Sequence, residues 1–374
     1  MNDRNRKTDT NEIDSRKQPL WYSGRYFDYP LFGIVLGLVL FGLVMVYSTS
    51  SYRADELYGD STYFAKRQLV FELVALVGMF LVSKIDYRRY ARYSKYFLYV
   101  AIALLVLVYI IGSASHGSTR WIYIGAFGFQ PSEFAKLALI VYTADICTRK
   151  PRSLNTIKGL AKMLLLPLIT IVLIAIENLS TAIICFGIVM IIVFVASPKN
   201  WHFILMGVLG ILMCVVFIAT AGYRADRIRI WLAPEKYDDG YQTMQSLYAI
   251  GSGGFFGRGL GNSIQKMGFI PESHNDMIFS VICEELGLFG AVLTIIMFIL
   301  LIYRCTVLAI NSGDRFGGLI AVGVMAHIAV QILINISVVT NTIPPTGVPL
   351  PFISYGGSSI FFLLLEMGLM FAVA

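Results

Sequence analysis

Long apolar runs separated by short polar stretches fill the chain from residue 29 to residue 374. An apolar run of about 17–25 residues is long enough to cross the hydrocarbon core of a bilayer as a helix. One span for each run predicts ten membrane helices, at 29–50, 67–84, 96–113, 133–149, 160–177, 179–197, 201–220, 276–303, 316–340 and 357–374. The pattern therefore predicts an all-α polytopic membrane protein, in which residues 29–374 form a single domain after a polar tail, 1–28.

Two stretches interrupt this pattern. Residues 221–275, between the seventh and eighth predicted spans, are polar, aromatic and rich in glycine, and we expect a large extracellular loop there. Residues 341–359, NTIPPTGVPLPFISYGGSS, contain four prolines and no charge. Proline cannot continue a helix, yet this segment is too apolar for a loop in water. Because irregular backbone at membrane depth must be buried in protein or line a cavity, we expect a re-entrant loop before the tenth span.

Composition and charge agree with a membrane protein. Of the 374 residues, 57% are hydrophobic and 14% are charged, against about 25% charged in an average soluble protein. Lys and Arg are concentrated in the tail and in the loops after the second and fourth spans, which predicts that both termini are cytoplasmic. The net charge of +7 follows mostly from this bias and does not indicate nucleic-acid binding. The five cysteines lie in or beside apolar spans without CxxC spacing, so neither a disulfide nor a metal site is predicted.

Ionisable residues inside or at the ends of membrane spans are candidates for function, because charge in a bilayer is costly. Asp276 stands where the large loop becomes the eighth span, and it is an N-cap, a functional acid or both. Glu133 and Lys136 are three residues apart on one face of the fourth span. They form either a simple ion pair or a site in which Glu133 orients Lys136 toward a cavity.

Two further patterns have structural explanations. His327, Gln331 and Asn335 recur every four residues in the ninth span, a stripe typical of hydrogen bonding between membrane helices. The run GSGGFFGRGLGNS in the large loop lacks the GxxxxGK[ST] pattern of a phosphate-binding loop. Its glycines therefore indicate close packing of backbone segments, although exposed N–H groups could still contact a phosphate.

Four stretches together resemble one family. They are RWIYIGAFGFQPSEFAKL, YQTMQSLYAIGSGGFFGRGLGNSIQK, GFIPESHNDMIFSVICEELGLFG and PPTGVPLPFISYGGSS. They are similar to motifs of the SEDS proteins (shape, elongation, division and sporulation), and the QK after GLGNS resembles the branch of FtsW and the sporulation paralogue. The chain departs from the family pattern at 177–181, where ENLST replaces PDLGT, and at 274–277, where HNDM replaces HTDF. The acid of the second motif, Asp276, is retained.

The resemblance implies a peptidoglycan glycosyltransferase of the bacterial plasma membrane that polymerises lipid II on the outer face. It also implies a class B penicillin-binding protein as partner, together with other division or elongation proteins. Asp276 matches the essential aspartate of the family, and we expect it to be the base that accepts the proton of the acceptor hydroxyl. The other residues expected to bind substrate are Arg120, Lys136 and Lys266 at the pyrophosphate, Glu133, Glu272 and Glu285 beside these cations, His274 near Asp276, and Ser354 and Gly356 on the re-entrant loop.

Other interpretations stay open. No cofactor is firmly implied, although the three glutamates could hold a divalent ion such as Mg²⁺ or Mn²⁺ instead of orienting cations. A transporter that moves lipid II across the membrane would also use broken helices and buried charges. A scaffold that only activates its partner would use these acids structurally. The position of the candidate residues near the outer ends of the spans favours the enzyme.

Overall fold

The computed structural model describes residues 27–111, 113–115, 118–124, 127–199, 201–219 and 222–374. These residues form a helical bundle and a small sheet. The helices are α1 (Tyr29–Tyr58), α2 (Tyr63–Lys84), α3 (Arg88–Ile111), α4 (Pro131–Arg149), α5 (Ile157–Glu177), α6 (Leu179–Ala196), α7 (Trp201–Ala219), α8 (Gly222–Leu232), α9 (Tyr241–Ser252), α10 (Ile278–Asn311), α11 (Arg315–Val339) and α12 (Gly357–Val373).

Every predicted span coincides with a helix, which confirms the all-α, polytopic class. Within the described residues, seven helices are long and apolar enough to cross a membrane: α1, α3, α5, α6, α7, α10 and α11. The remaining three predicted spans are also helical, but α2 and α4 carry more charge, and α12 has 17 residues. The count of ten spans therefore stays a prediction. So does the division into a tail and one domain, since residues 1–26 lie outside the described part.

Helix α11 lies at the centre of the bundle, where it contacts α4, α6, α10 and α12. Helix α12 packs along α2, and α3 packs along α4. By contrast, α7 contacts mainly α6 and α8 and has a largely exposed apolar surface, as expected of a helix at the edge that faces lipid. The residues that the sequence analysis selected in α4 and α11 therefore point into the interior.

The stretch between α3 and α4 differs from the all-helical expectation. It contains three short antiparallel strands in the order β1-β2-β3, at Ser113–Ser115, Ser118–Ile124 and Phe127–Phe129. Tyr123 lies opposite Gly128 across the β2–β3 pair. A side chain at Gly128 would press against the rings of Trp121 and Tyr123, so the glycine leaves room for these two aromatic residues.

Helix α10 is broken at Gly287, whose φ of 66° and ψ of −164° are not helical. In a continuous helix the amides of Leu288 and Phe289 would donate to the carbonyls of Glu284 and Glu285. Here they donate instead to Gly254 O at 2.9 Å and Phe255 O at 3.1 Å. The break therefore frees two helical carbonyls as well.

The glycine-rich segment 253–261 also pairs with those freed carbonyls. Arg258 N donates to Glu284 O and Gly259 N donates to Glu285 O, both at 2.9 Å. The segment thus replaces the backbone hydrogen bonds that these two pairs of groups lose at the break, so that none of the four is left without a partner. A Cβ at Gly253 or Gly257 would collide with the carbonyl oxygen of Cys283 or Glu285. The expectation that these glycines permit close backbone packing is confirmed.

Candidate active site

Asp276 lies at the end of the turn-rich loop that precedes α10. The helix begins at Ile278, and its N-cap residue is Met277, with no side-chain capping hydrogen bond. The interpretation of Asp276 as an N-cap is therefore wrong, because its carboxylate lies one residue too early. That carboxylate is half-buried, and its Oδ2 lies 3.9 Å from where a Cβ on Gly347 would be. Asp276 therefore faces the proline-rich segment.

The proline-rich segment 340–356 runs between α11 and α12 without helical structure, as predicted for the re-entrant loop. It is attached to the loop of Asp276 by two hydrogen bonds. Ser354 Oγ donates to Asn275 O at 2.6 Å, and Tyr355 N donates to His274 O at 2.9 Å. Gly356 N completes the attachment on the other side by donating to Gln68 Oε1 of α2 at 3.3 Å.

Asn335 of α11 also connects the loop of Asp276 to the proline-rich segment. Its Nδ2 donates to Asp276 O at 2.7 Å and to Val348 O at 2.8 Å. The short helix α8 also binds the proline-rich segment: Arg227 Nη1 donates to Pro345 O at 3.1 Å. Trp231 Nε1 donates to Asn341 O at 3.0 Å. These contacts fix the proline-rich segment between α8 and α11 and bind the backbone of Asp276 to α11.

The surroundings of Asp276 change the acidity of its carboxyl group. Burial in protein and the nearby carboxylate of Glu272 raise the pKa of Asp276 from 3.8 to about 7, and Arg227 opposes this rise. Burial disfavours the charged form, and a like charge acts in the same direction. Asp276 therefore has the proton affinity that a general base needs near neutral pH.

His274 lies beside this site as a neutral group. Its ring lies 4.7 Å from that of Phe64 and 5.5 Å from that of Tyr355, measured between centroids. Burial lowers the pKa of His274, although Glu272 opposes the effect. Its buried Nδ1 has no hydrogen-bond partner among the described residues. The ring is therefore suited to a neutral hydrogen bond with a ligand.

Lys136 lies in a second, buried polar cluster that reaches the same proline-rich segment. Its Nζ is 2.9 Å from Glu133 Oε2 and 3.4 Å from Gln331 Oε1. Gln331 Nε2 donates to Pro349 O at 3.0 Å. His327 lies between Gln331 and Glu366, with nitrogen–oxygen distances of 2.8 and 2.7 Å. The predicted ion pair between Glu133 and Lys136 is present, and the orientation of Lys136 toward a cavity stays a prediction.

Lys266 and Glu285 form a third cluster with a different character. Lys266 Nζ lies 2.7 Å from Glu285 Oε1 and 3.0 Å from Ser48 Oγ of α1. Ser48 Oγ also donates to Glu285. Both charged side chains are almost fully buried. The geometry gives the pair a structural role, and pyrophosphate binding by Lys266 stays a prediction that would require it to leave Glu285.

The structure thus brings together five predicted residues at the proline-rich segment and connects two more to it. The five are Glu272, His274, Asp276, Ser354 and Gly356; the two are Glu133 and Lys136. The backbone of Arg120 lies in β2, but its side chain lies outside the described residues. No group of three His, Cys, Asp or Glu side chains in the described part is arranged to hold a metal ion, so the divalent-ion alternative gains no support there.

Residues that sequence reasoning did not assign to the site also contribute. None of Arg227, Trp231 and Gln68 was selected in the sequence analysis. Asn335 and Gln331 were visible as a stripe, but their spacing could not show that the acceptors are carbonyls of the proline-rich segment.

Comparison with known proteins supplies the family. Residues 29–374 match the model of the FtsW/RodA/SpoVE family, described as cell cycle protein. This chain belongs to that family. The stage V sporulation protein E of Bacillus subtilis (strain 168) is 39% identical over 347 residues, which cover 91% of this chain and 95% of the relative. The probable peptidoglycan glycosyltransferase FtsW of Trichlorobacter lovleyi is 38% identical over 354 residues, which cover 93% of each.

Solved structures of the FtsW/RodA/SpoVE family share this fold. One chain of a peptidoglycan synthase complex superposes with a TM-score of 0.78 at 27% identity, covering 94% of this chain and 98% of that one. The rod shape determining protein RodA of Thermus thermophilus gives a TM-score of 0.69 at 26% identity, covering 95% and 98%. The resemblance to the SEDS family, with its FtsW and sporulation branch, is therefore confirmed. This protein is a multi-pass membrane protein of that family.

Proposed function

We propose that this protein is a peptidoglycan glycosyltransferase that polymerises lipid II into glycan strands during cell division or cell-shape maintenance. The observation that carries the proposal is the carboxylate of the half-buried Asp276, which has a near-neutral pKa and faces Gly347 of the proline-rich segment. Relatives named as probable peptidoglycan glycosyltransferases support it.

In the proposed reaction a sugar hydroxyl of the acceptor attacks the anomeric carbon of the donor, and undecaprenyl pyrophosphate leaves. Asp276 removes the hydroxyl proton as the new carbon–oxygen bond forms. Attack on the face opposite the leaving group inverts the anomeric carbon, as in inverting hydrolases. Lys136 and Arg120 are proposed to stabilise the negative charge on the departing pyrophosphate. Glu133, 2.9 Å from Lys136, would orient that ammonium group.

The membrane arrangement follows from the charge bias of the loops. We propose that both termini are cytoplasmic and that Asp276 opens to the outer face of the plasma membrane, where lipid II is presented. A structural neighbour comes from a peptidoglycan synthase complex, which supports a partner that crosslinks the strands, and we propose a class B penicillin-binding protein.

The test is polymerisation of labelled lipid II by the purified, detergent-solubilised protein together with its cognate partner. Asp276→Asn removes the base while keeping the shape of the side chain, and we expect the rate to fall by about 10²–10⁴-fold. Asp226→Asn is the matched control, because Asp226 is an exposed acid of α8 that pairs with Arg229. The control should polymerise at the wild-type rate.

Three other outcomes discriminate the alternatives. Full activity of Asp276→Asn would keep the enzyme but remove Asp276 as its base. A wild-type protein that makes no glycan with its partner, but moves lipid II across vesicle membranes, would be a transporter. A wild-type protein that does neither but increases the activity of its partner would be a scaffold.

A further inference from the structure

A stripe of three buried polar residues on α11 is not explained by the proposed reaction. His327, Gln331 and Asn335 lie one turn apart, and each side chain is at most 2% exposed. Two of the three hydrogen-bond to the proline-rich segment at neighbouring carbonyls, Val348 O and Pro349 O. The stripe therefore does more than connect helices.

The proline-rich segment needs donors from outside itself. Four of its residues are prolines (Pro344, Pro345, Pro349 and Pro351), which have no N–H to offer. Its buried carbonyls must still be satisfied. Asn335 and Gln331 of α11 supply two of the donors, and Arg227 of α8 supplies a third. Side chains of α8 and α11 thus bind carbonyls of the segment that its own residues leave without donors.

Asn335 has a second partner that gives it a particular role. Both hydrogens of its amide are in use, one to Val348 O and one to Asp276 O. Since both neighbours are carbonyl oxygens, only the NH₂ group can face them. Its Oδ1 is buried and has no partner in the described part of the chain. The structural role of the Asn335 side chain therefore lies in its two N–H donors. They connect the backbone of Asp276 to the proline-rich segment.

We propose that Asn335 is a positioning residue for catalysis, which holds the backbone of Asp276 against Val348 so that the carboxylate stays in place beneath Gly347. This inference rests on the proposed function. Its one amide group donates to both segments at once. The hydrogen bonds from Ser354 and Tyr355 attach the preceding residues, Asn275 and His274, instead.

These neighbouring attachments predict that loss of Asn335 leaves the protein folded. The loop stays docked at His274 and Asn275, while Asp276 itself becomes free to move and its carboxylate becomes more exposed to water. Burial is the main reason that the pKa of Asp276 is raised, so this pKa should fall toward its ordinary value. Among the described residues, the charged groups that face Asp276 are Glu272 of its own loop and Arg227 of α8, and neither is altered by the substitution.

The experiment measures lipid II polymerisation as a function of pH for two variants, with the full chain and its cognate partner. Asn335→Leu keeps the volume without the donors, and Asn335→Ser is the milder change. We expect kcat to fall by about 10²-fold, as for a reacting group displaced by about 1 Å, with KM little changed. The acid limb of the pH profile should move to lower pH by about 1 unit or more, since desolvation is lost.

Thr294→Val is the matched control, because Thr294 is a buried polar residue of α10 whose hydroxyl bonds only to its own helix, at Gly290 O. It should change neither kcat nor the acid limb. A purely structural role for Asn335 would lower activity in proportion to the folded fraction at every pH and leave the acid limb in place. That result, or wild-type kinetics in both variants, would overturn the inference. An inactive wild-type protein would instead refute the proposed function.

Discussion

The buried pair of Lys266 and Glu285 allows a quantitative prediction that separates a structural role from substrate binding. The perturbation is a cycle of three variants: Lys266→Met, Glu285→Leu and the double variant. The side chains are 3% and 0% exposed, and their charged atoms lie 2.7 Å apart. Ser48 Oγ lies within hydrogen-bonding distance of both charged groups. The two charged groups are thus shielded from water and bind each other and Ser48.

Removal of one partner leaves the other charge buried. In Lys266→Met the carboxylate of Glu285 would keep only the hydroxyl of Ser48 and the amide of Ser263, the latter at 3.4 Å. We expect each single variant to lose about 3–5 kcal/mol of unfolding free energy. The double variant should recover most of this loss, because two apolar side chains of similar size replace a desolvated pair at little net cost.

The assay is reversible unfolding in mixed detergent micelles, followed by tryptophan fluorescence, for the full cycle. The matched control is the exposed pair of Arg53 and Glu56, which has a similar separation of 3.0 Å but side chains that are 54% and 53% exposed. Arg53→Met should cost less than about 1 kcal/mol, because water screens that pair. Equal losses at the two pairs would refute the argument from burial.

Polymerase activity of the double variant decides the function of Lys266. If the pair is structural, the stable double variant keeps most of its activity. If Lys266 binds the pyrophosphate, the double variant is stable but inactive, and the expectation from the sequence is then correct. The double variant thus distinguishes the two roles, because its stability and its polymerase activity are measured separately.

The remaining predictions concern pH and the glycine-rich segment. Because the pKa of Asp276 is raised to about 7, polymerase activity should increase as pH rises through about 7, and a profile flat from pH 5 to 8 would contradict this. The neutral form stabilises the fold at low pH, and that contribution is lost as pH rises from about 4 to 7; Asp276→Asn should therefore unfold at a higher temperature than wild type at pH 8, by calorimetry. Gly257→Ala should destabilise the protein by more than about 2 kcal/mol, since its Cβ would collide with Glu285 O, whereas Gly251→Ala, at an open helical position, should be neutral in the same unfolding assay.

The sequence predicted helices better than it predicted their ends and contacts. Each apolar run became a helix, but α1 continues to Tyr58 and α10 to Asn311, because hydropathy marks where the chain leaves the apolar layer and not where the helix ends. The small sheet was not predicted, since its strands are only three to seven residues long. Helical spacing placed Gln331 and Asn335 on one face of α11. It could not show that their hydrogen-bond acceptors are carbonyls of the proline-rich segment that follows this helix.

Long-range pairing explains the rest of what was not predicted. Ser48 and Glu285 are separated by 237 residues, and neither has a local pattern that indicates the other. Lys266 was expected at the substrate because the SEDS resemblance placed it in a motif and its charge suited a pyrophosphate. Only the three-dimensional structure shows that its ammonium already has a carboxylate partner.

Two irregular segments together determine where Asp276 lies. The glycine-rich segment 253–261 supplies hydrogen-bond partners for the backbone groups at the break in α10 at Gly287. Asn335 and Gln331 donate to backbone carbonyls of the proline-rich segment 340–356. Asp276 lies two residues before the first residue of α10, whose first part ends at this break. Its position is therefore set by glycines and amides in other elements more than by its own helix. Substitutions at Gly257, Gly287 and Asn335 should consequently impair catalysis more than substitutions of equal size on the exposed face of α10, such as Leu293→Ala.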